Sequence, residues 1–289
     1  MVTQLVPLRE VERLSSNVIR IMGGNPGKFT LQGSNTYLVG TGKRRLLVDT
    51  GEGRSSWIEL LKETLQRENA SVSEAIITHW HHDHQGGVKH LQEFSPDTVI
   101  YKNQPSAGWK DIEDGQKFSV DGASLRAVFS PGHANDHMAL VLEEEDAMFT
   151  GDNVLGHGTA VFEDLPTYLK SLEKMKSNFQ GRAYPGHGAV VEDGPSKILE
   201  YIKHRQQRED QVIQVLKSPR SPGTAAQAKE PDKWTSMEIV KIIYKDVPEN
   251  LHLPANGGIL QILRKLKEEE KVSEDEGAGK WRIKDRAAL

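Results

Sequence analysis

Cysteine, long apolar runs and aromatic residues are absent or scarce in this chain. None of its 289 residues is cysteine, which excludes disulfide bridges, cysteine-ligated zinc sites and thiol nucleophiles. The apolar runs are short, as at 138–142, and a membrane-spanning helix needs roughly 20 such residues. Aromatic residues make up only 6%. Any bound metal must therefore be held by nitrogen and oxygen atoms, and we expect no membrane partner.

The charge of the chain is weakly negative. The net charge is −4, and it divides into −7 for residues 1–200 and +3 for residues 201–289. A surplus this small does not indicate a nucleic-acid partner, because phosphate binding usually requires a clustered basic face. Residues 1–20 mix arginine with glutamate and lack an apolar segment, which argues against a secretory signal and a basic transit peptide. We therefore expect a cytoplasmic protein.

Strand-like and helix-like segments alternate from residue 18 to residue 191. Short β-rich runs end in turn residues, as at 46–48, while 57–68 and 165–178 carry apolar residues at a spacing of three to four. Such alternation is typical of a layered α/β domain.

The C-terminal part of the chain has a different pattern. Residues 217–234 contain proline, glycine and small residues without periodicity, which predicts a linker. Residues 235–289 begin with a capping-box pattern, Thr235 to Glu238, and continue with two helical segments and a terminal strand. We predict a catalytic domain at 1–216, the linker at 217–234 and a winged-helix-like appendage at 235–289.

The strongest chemical signal is a histidine-rich segment at residues 78–87, which reads THWHHDHQGG and directly follows a strand-like run. Three histidines and an aspartate at these offsets rarely arise by chance in a chain of this composition. Imidazoles at positions i and i+2, His79 and His81, can chelate one metal ion while Asp83 and His84 turn towards a second. A solvated histidine loop is the less favoured interpretation.

Three further candidate ligands lie at strand-to-loop junctions downstream. His133, Asp152 and His187 each stand next to a glycine after a strand-like run, where a side chain can point into a shared cleft. Any one of them alone would more often be an ordinary turn residue. Together with the upstream cluster they complete the ligands for two metal ions.

The order of these motifs resembles that of metallo-β-lactamase-fold hydrolases across residues 18–200. The resemblance implies a four-layer αβ/βα sandwich with its site at the strand ends. It implies that one metal ion is held by His79, His81 and His133. A second ion would be held by Asp83, His84 and His187, and Asp152 would bridge the two ions. It also implies that Asp49 hydrogen-bonds and orients the ligands.

The expected ligand set indicates a hydrolytic metal centre. Imidazoles and carboxylates favour two zinc ions, although manganese and iron are also compatible. A hydroxide between such ions is a nucleophile at neutral pH, and Asp83 is expected to act catalytically by orienting it. True β-lactamases of this fold usually place cysteine in the second site, so the absence of cysteine argues against drug hydrolysis.

Two substrate classes remain open. Residues 18–37 and 150–158 resemble fungal lactamase-like thioesterases that act with polyketide synthases in secondary metabolism. The partner would then be an acyl carrier protein domain, and metal hydroxide would attack the acyl thioester. The same segments, with 237–251, also resemble the animal mitochondrial β-lactamase-like endoribonuclease, which would make single-stranded RNA the substrate. We favour the thioesterase, because a basic groove with aromatic platforms is not evident. A third alternative is a non-catalytic interaction module.

Other polar residues have weaker assignments. Four residues near the expected ligands are candidates for the substrate pocket: Ser34, Asn35, His137 and His157. For His137 and His157, a contact that supports the metal ligands is an equally favoured interpretation. Four other histidines are expected to be structural or exposed: His82, His90, His204 and His252. Three basic residues on one helix are more typical of a solvated face than of an anion site: Lys203, Arg205 and Arg208.

Overall fold

A computed structural model describes residues 5–219, 233–275 and 277–284. The chain forms two units, residues 1–200 and 201–289. Most of the predicted linker, 217–234, lies outside the described residues, so the predicted boundaries at 216 and 235 stay predictions. In the described part of the chain, no helix has both the length and the apolar character needed to cross a bilayer.

The first sheet of the N-terminal unit has six strands in chain order. They are β1 (Val11–Arg13), β2 (Val18–Met22), β3 (Asn35–Val39), β4 (Arg44–Val48), β5 (Ser71–Ile77) and β6 (Val99–Lys102). Strands β4, β5 and β6 run parallel, and helices make the crossovers between them. These are α1 (Ser55–Glu68), α2 (His82–Gln85) and α3 (Val88–Phe94). Parallel strands bring the residues that follow β4 and β5 to the same sheet edge.

The second sheet has five strands in the order β11, β10, β9, β8, β7. They are β7 (Lys117–Val120), β8 (Ala123–Phe129), β9 (Met138–Leu142), β10 (Ala147–Gly151) and β11 (Ala183–Pro185). Only β10 and β11 pair in parallel in this sheet, with α4 (Leu165–Lys176) lying between them in the chain. The ends of β10 and β11 therefore also share an edge.

Alternation along the strands divides the apolar side chains between two cores. In β4, Leu46 and Val48 lie in a core with residues of the second sheet such as Leu140, whereas Leu47 packs with α1 residues such as Trp57. Successive strand residues point to opposite faces, so one strand serves both cores. Helix α4 packs on the second sheet's side, where Tyr168 Oη donates to the carbonyl of Asn153 at 2.6 Å. The αβ/βα layering predicted for this domain is confirmed.

The long helix α5 (Gly194–Lys217) begins in the first unit and continues into the second. The second unit also contains β12 (Trp234–Thr235), α6 (Ser236–Ile243), α7 (His252–Glu268), β13 (Val272–Asp275) and β14 (Lys280–Ile283). The three short strands form a sheet in the order β12, β14, β13. Buried residues of both short helices and the sheet form its interior: Ile239, Val240, Ile259, Leu263 and Trp281.

Candidate metal centre

The candidate site lies where strand ends of both sheets meet. The segment after β5 carries the histidine cluster, the loop between β8 and β9 carries His133, and the residues after β10 and β11 carry Asp152 and His187. Each ligand candidate follows a buried strand, whose regular pairing fixes where the side chain begins. The site is therefore assembled from backbone positions that the two sheets hold.

Four of the predicted ligands form a first group. The candidate donor atoms of His79, His81, His133 and Asp152 all lie within 4.8 Å of one another. The Nε2 atom of His79 lies 2.9 Å from Nδ1 of His81, which lies 3.0 Å from Nε2 of His133. Three imidazole nitrogens and a carboxylate oxygen at such separations are a donor set that suits zinc.

The other three predicted ligands form a second group beside the first. Asp83, His84 and His187 bring one donor atom each within 4.8 Å of one another. Asp152 contacts both groups, because its carboxylate lies 3.4 Å from His84 Nε2, 3.3 Å from His187 Nε2 and 3.6 Å from His133 Nε2. The structure thus brings all seven predicted ligands together and places Asp152 between the groups.

Asp49 is buried beneath both groups, with 2% of its surface exposed. Its carboxylate accepts hydrogen bonds from His84 Nδ1 at 2.7 Å and from the Thr78 hydroxyl at 2.9 Å. Thr78 Oγ1 in turn lies 3.0 Å from His79 Nδ1. One carboxylate therefore orients a histidine in each group, directly for His84 and through Thr78 for His79. Asp49 has a positive φ of 61°, which turns the chain sharply out of β4.

The turn after β11 depends on a glycine. A Cβ atom at Gly186 would lie 2.3 Å from Asp152 Oδ1 and 2.9 Å from His84 Cε1, distances that no real Cβ can adopt. Beside it, the Asn35 side chain donates to the carbonyls of Pro185 and Gly188 at 2.8 and 2.9 Å. This turn consequently presents His187 close to the other ligands.

Opposite charges dominate the electrostatics of the second group. Burial disfavours charged imidazole, but the carboxylates of Asp152 and Asp83 outweigh it and raise the pKa of His187 to about 9. Burial also disfavours the charged form of His84, but the carboxylates of Asp152 and Asp49 outweigh this effect. The net result is a pKa well above the usual value. For Asp83, burial alone would raise the pKa, but the neighbouring His187 and His84 outweigh it and lower the pKa to about 2. Protons on the two imidazoles thus offset the clustered carboxylates.

The first group has a different charge state. Burial, reinforced by the neighbouring His84, holds the pKa of His79 well below its usual value. Burial and His133 also lower the pKa of His81. Neutral imidazoles carry the free nitrogen lone pair that a metal ion requires.

Two buried polar atoms at the centre support a metal-binding assignment. Among the described residues, His84 Nε2 and Asp152 Oδ1 are buried, and neither has a partner in hydrogen-bond geometry, although the two atoms lie 3.4 Å apart. Buried polar atoms are normally satisfied, and these two face the space shared by the ligand groups. The residues present therefore fit divalent cations, and the His/Asp cluster can bind metal.

Three of the four candidate pocket residues are buried. Ser34, Asn35 and His137 are at most 1% exposed and contact protein groups around the ligands, so their contact with substrate stays a prediction. Asn35 holds the β11 turn, and Ser34 Oγ donates to Asp83 Oδ2 at 3.3 Å. His137 Nε2 accepts a hydrogen bond from the backbone N–H of Asp152 at 3.2 Å. The fourth candidate, His157, is half-buried and stays a candidate.

The histidines and basic residues expected to be structural or solvated fit their surroundings. His82 is exposed and His90 and His204 are half-buried, while His252 Nε2 lies 3.1 Å from the carbonyls of Tyr244 and Val247. On α5, Lys203 is exposed and Arg205 half-buried. The Arg208 guanidinium packs 4.4 Å above the Tyr244 ring, which favours a structural contact over an anion site.

Sequence reasoning missed several residues around the centre. Trp80 is 47% exposed, and its ring lies 4.5 Å from that of His81, beside the first group. Lys102 and Asp136 form a buried ion pair next to the His133 loop. The position of Trp80 between two candidate ligands was a usable signal. No local pattern links Lys102 to Asp136, because they are 34 residues apart.

Comparison with known proteins places these observations in a family context. The model of the metallo-β-lactamase superfamily matches residues 29–187, and that of the β-lactamase-associated winged-helix domain matches residues 235–281, which confirms the predicted appendage. A metallo-β-lactamase family protein from Thermus thermophilus has a similar fold, with a TM-score of 0.72 at 19% identity, covering 94% of this chain and all of that one.

Curated fungal proteins are similar along nearly the whole chain. The lactamase-like protein adaB of Aspergillus niger is 47% identical over 92% of this chain and 84% of its own length. The atrochrysone carboxyl ACP thioesterase dmxR1 of a Cryptosporiopsis species is 45% identical over 96% of this chain and 88% of its own length. The lactamase-like protein aptB of Emericella nidulans is 45% identical over 96% and 90%.

Proposed function

Because the chain belongs to the metallo-β-lactamase superfamily of hydrolases, we propose that it is a dinuclear-metal thioesterase that releases a polyketide acyl chain from an acyl carrier protein. The observation that carries the proposal is the 45% identity, over 96% of this chain, to a protein named as an ACP thioesterase. Identity at this level along both units extends beyond a shared fold, which alone would not indicate a substrate.

The proposed ligand assignment follows the two groups of side chains. His79, His81 and His133 would hold one ion, and Asp83, His84 and His187 would hold the other. Asp152 would contribute to both sites, as its contacts with histidines of both groups support. When bound, divalent cations lower the pKa of coordinated water to about 7 and polarise the carbonyl under attack. Zinc is the metal that this imidazole-rich set favours, with manganese and iron as alternatives.

Asp83 is proposed as the catalytic carboxylate. Its pKa of about 2 keeps it ionised at neutral pH, and its side chain is 26% exposed, more than those of Asp49 and Asp152. An ionised, accessible carboxylate can accept a hydrogen bond from the attacking water and orient it. Water then adds to the thioester carbonyl carbon, the carbon–sulfur bond breaks, and the departing thiolate takes up a proton.

The proposed partner is the acyl carrier protein domain of a polyketide synthase. Such domains are acidic, whereas residues 1–200 of this chain carry a net charge of −7 and residues 201–289 carry +3. We therefore assign the carrier-protein contact to the C-terminal unit, since opposite charges favour encounter. The cytoplasmic location stays a prediction.

A direct comparison of substrates tests the proposed function. The purified full chain is incubated separately with an acyl-loaded carrier protein and with single-stranded RNA, each with and without a chelator. We expect that the free acid is released from the carrier protein, that the chelator blocks this release, and that the RNA is not cleaved.

Two other results would reject the thioesterase, and a third would reject this metal centre as its active site. Chelator-sensitive RNA cleavage with an intact thioester would favour the endoribonuclease. Inertness towards both substrates after loading with zinc would favour an interaction module. Thioester cleavage that persists in the His79→Ala variant would show that the reaction occurs elsewhere.

A further inference from the structure

A buried ion pair lies beside the loop that carries His133. Lys102 and Asp136 form a salt bridge, and their side chains are only 5% and 2% exposed. Lys102 Nζ also donates to the carbonyls of Asn103 and Gln104, at 2.9 and 3.2 Å. All three ammonium hydrogens therefore have an acceptor within the protein.

The pair connects the two sheets at the edge where the candidate metal centre lies. Lys102 is the last residue of β6 and is in register with Ile77 at the end of β5. Ile77 in turn precedes His79 by two residues. Asp136 belongs to the loop between β8 and β9, three residues after His133. The first ligand group spans the same junction, because His81 Nδ1 and His133 Nε2 come from different sheets and lie 3.0 Å apart.

Few other contacts fix this loop against the first sheet. The backbone N–H of Met138 donates to the carbonyl of Thr78 at 2.8 Å, and this bond fixes the loop's C-terminal end. The Asp136 carboxylate provides a side-chain contact closer to His133. The rest of the loop is held on the side of the second sheet, where the backbone N–H of Glu163 donates to the carbonyl of Gly132 at 2.7 Å and His133 Nδ1 lies 2.9 Å from the Val161 carbonyl. Without the ion pair, the Met138 bond would be the one described backbone hydrogen bond that sets the position of this loop relative to β5, and His133 could shift with the loop relative to the histidines of the first sheet.

The energetics of the pair argue against a purely stabilising purpose. Removing two charges from water costs more than their attraction usually returns, and apolar pairs of similar volume are often as stable or more stable. The second oxygen of the carboxylate, Asp136 Oδ1, is buried and has no hydrogen-bond partner among the residues that the structure describes, which adds to the cost. An ion pair differs from an apolar contact because its hydrogen bonds have a preferred direction and fix how the two partners are oriented.

We propose that Lys102 and Asp136 are positioning residues that hold His133 at ligating distance from the histidines of the first sheet. The inference rests on the proposed metal centre and is independent of the substrate. It assigns the pair no contact with substrate or metal. Loss of the pair should therefore weaken metal binding through the His133 loop.

The test separates positioning from stability with three variants. These are Lys102→Met, Asp136→Leu and the double variant that carries both changes. Zinc affinity is measured on the full chain by competition with a chromophoric chelator, and thermal stability is measured on the metal-free protein. Each single variant leaves a buried charge unpaired, so we expect a lower Tm and weaker binding of one zinc ion.

The double variant is decisive. Its apolar pair should restore the Tm of the metal-free protein to that of the unaltered chain or above. Zinc affinity at one site should nevertheless stay about 10- to 100-fold weaker, the range typical of lost partners of metal ligands. The absorption spectrum of the cobalt-substituted double variant should change as well, since cobalt reports ligand geometry.

Arg45 provides a matched control at the opposite end of the same sheet. Its side chain is 3% exposed, pairs with Glu68 at 3.3 Å, and donates to the carbonyls of Gly42 and Thr41 at 2.7 and 3.0 Å. It is in register with Val72, at the start of β5. Arg45→Met should lower the Tm and leave zinc affinity unchanged.

Three results would overturn the inference. Recovery of both Tm and zinc affinity in the double variant would make the pair structural only. Equal loss of zinc affinity in Arg45→Met would attribute the effect to general destabilisation. Failure of the unaltered chain to bind zinc would reject the metal centre and the inference together, whereas zinc binding without thioester hydrolysis would reject only the proposed function.

Discussion

The outward-facing ring nitrogens of four site histidines each lie beside an oxygen atom. The separations range from 2.7 Å for His84 and Asp49 to 3.4 Å for His187 and the Gly33 carbonyl. His133 Nδ1 lies 2.9 Å from the Val161 carbonyl. A hydrogen bond at Nδ1 fixes the ring orientation and directs Nε2 towards the metal centre. For His84 and His187, whose pKa values the neighbouring carboxylates raise, a bound metal ion would displace the Nε2 proton. These contacts prepare the imidazoles for ligation before any ion arrives.

Alanine substitutions test the ligand assignment directly. His79→Ala and Asp152→Ala should each abolish hydrolysis and reduce the metal content, because each removes a ligand of the first group. His82→Ala should change activity by less than about tenfold, since even lost partners of ligands typically cost 10- to 100-fold and His82 is exposed. Activity and metal content per chain are the measurements. Equal losses in all three variants would contradict the assignment.

The raised pKa of His187 predicts a pH-dependent stability for the metal-free protein. Its pKa is about 9 in the folded chain and about 6.5 in the unfolded chain. The stabilisation by its charged form is fully present below about pH 6.5 and is lost as pH rises through about 9. The free energy of unfolding should thus fall between pH 7 and pH 9.5, by at most about 3 kcal/mol from this group.

Denaturant unfolding of the metal-free protein at several pH values measures this effect. His187→Gln should flatten the fall, and His82→Gln, at an exposed neighbouring position, should leave it unchanged. An unaltered pH profile in His187→Gln would show that the carboxylates do not stabilise a charged His187.

At the scale of elements, the start of α6 is fixed by a reciprocal pair of hydrogen bonds. Thr235 Oγ1 accepts from the backbone N–H of Glu238 at 3.2 Å, and the Glu238 carboxylate accepts from the backbone N–H of Thr235 at 2.8 Å. Thr235→Ala should destabilise the C-terminal unit by about 1 kcal/mol. Ser236→Ala, one residue inside the helix, should have a smaller effect. Amide hydrogen exchange in α6 measures both, and equal effects would contradict a capping contribution.

Element-level prediction succeeded where a pattern was local. The spacing at 57–68 and 165–178 predicted α1 and α4, because three-to-four periodicity depends only on neighbouring residues. Strand β6, which ends in Lys102, was missed because one short apolar run resembles many others. Its place in the sheet is set by pairing with β5, which no nearby residue specifies.

The same distinction applies to the site. The seven candidate ligands were found because each stands in a short motif beside a strand end. The burial of Ser34, Asn35 and His137 was not predicted, since proximity in sequence does not reveal burial. Asn35 bonds to Gly188, 153 residues away, and such a contact depends on how the two sheets pack.

At the scale of the whole molecule, all the candidate metal ligands belong to the first unit, residues 1–200. Zinc should therefore slow amide hydrogen exchange at the ends of β5, β10 and β11 and leave α6 and α7 unchanged. Binding to the folded state alone stabilises by about 2.7 kcal/mol at a hundredfold excess over Kd. Exchange measured by mass spectrometry with and without zinc tests this, and equal protection of α6 and α7 would show that metal binding is coupled to the second unit.

The division of the ligands between two sheets has a consequence for assembly. A folding intermediate with only the first sheet formed could offer a cation four of the seven side chains, and one with only the second sheet could offer three. Full coordination becomes available only when the halves of the sandwich have closed. The rate of cobalt binding during refolding, followed by absorbance, would therefore report the last step of folding. The delay between the formation of secondary structure and cobalt binding would measure how late the two halves join.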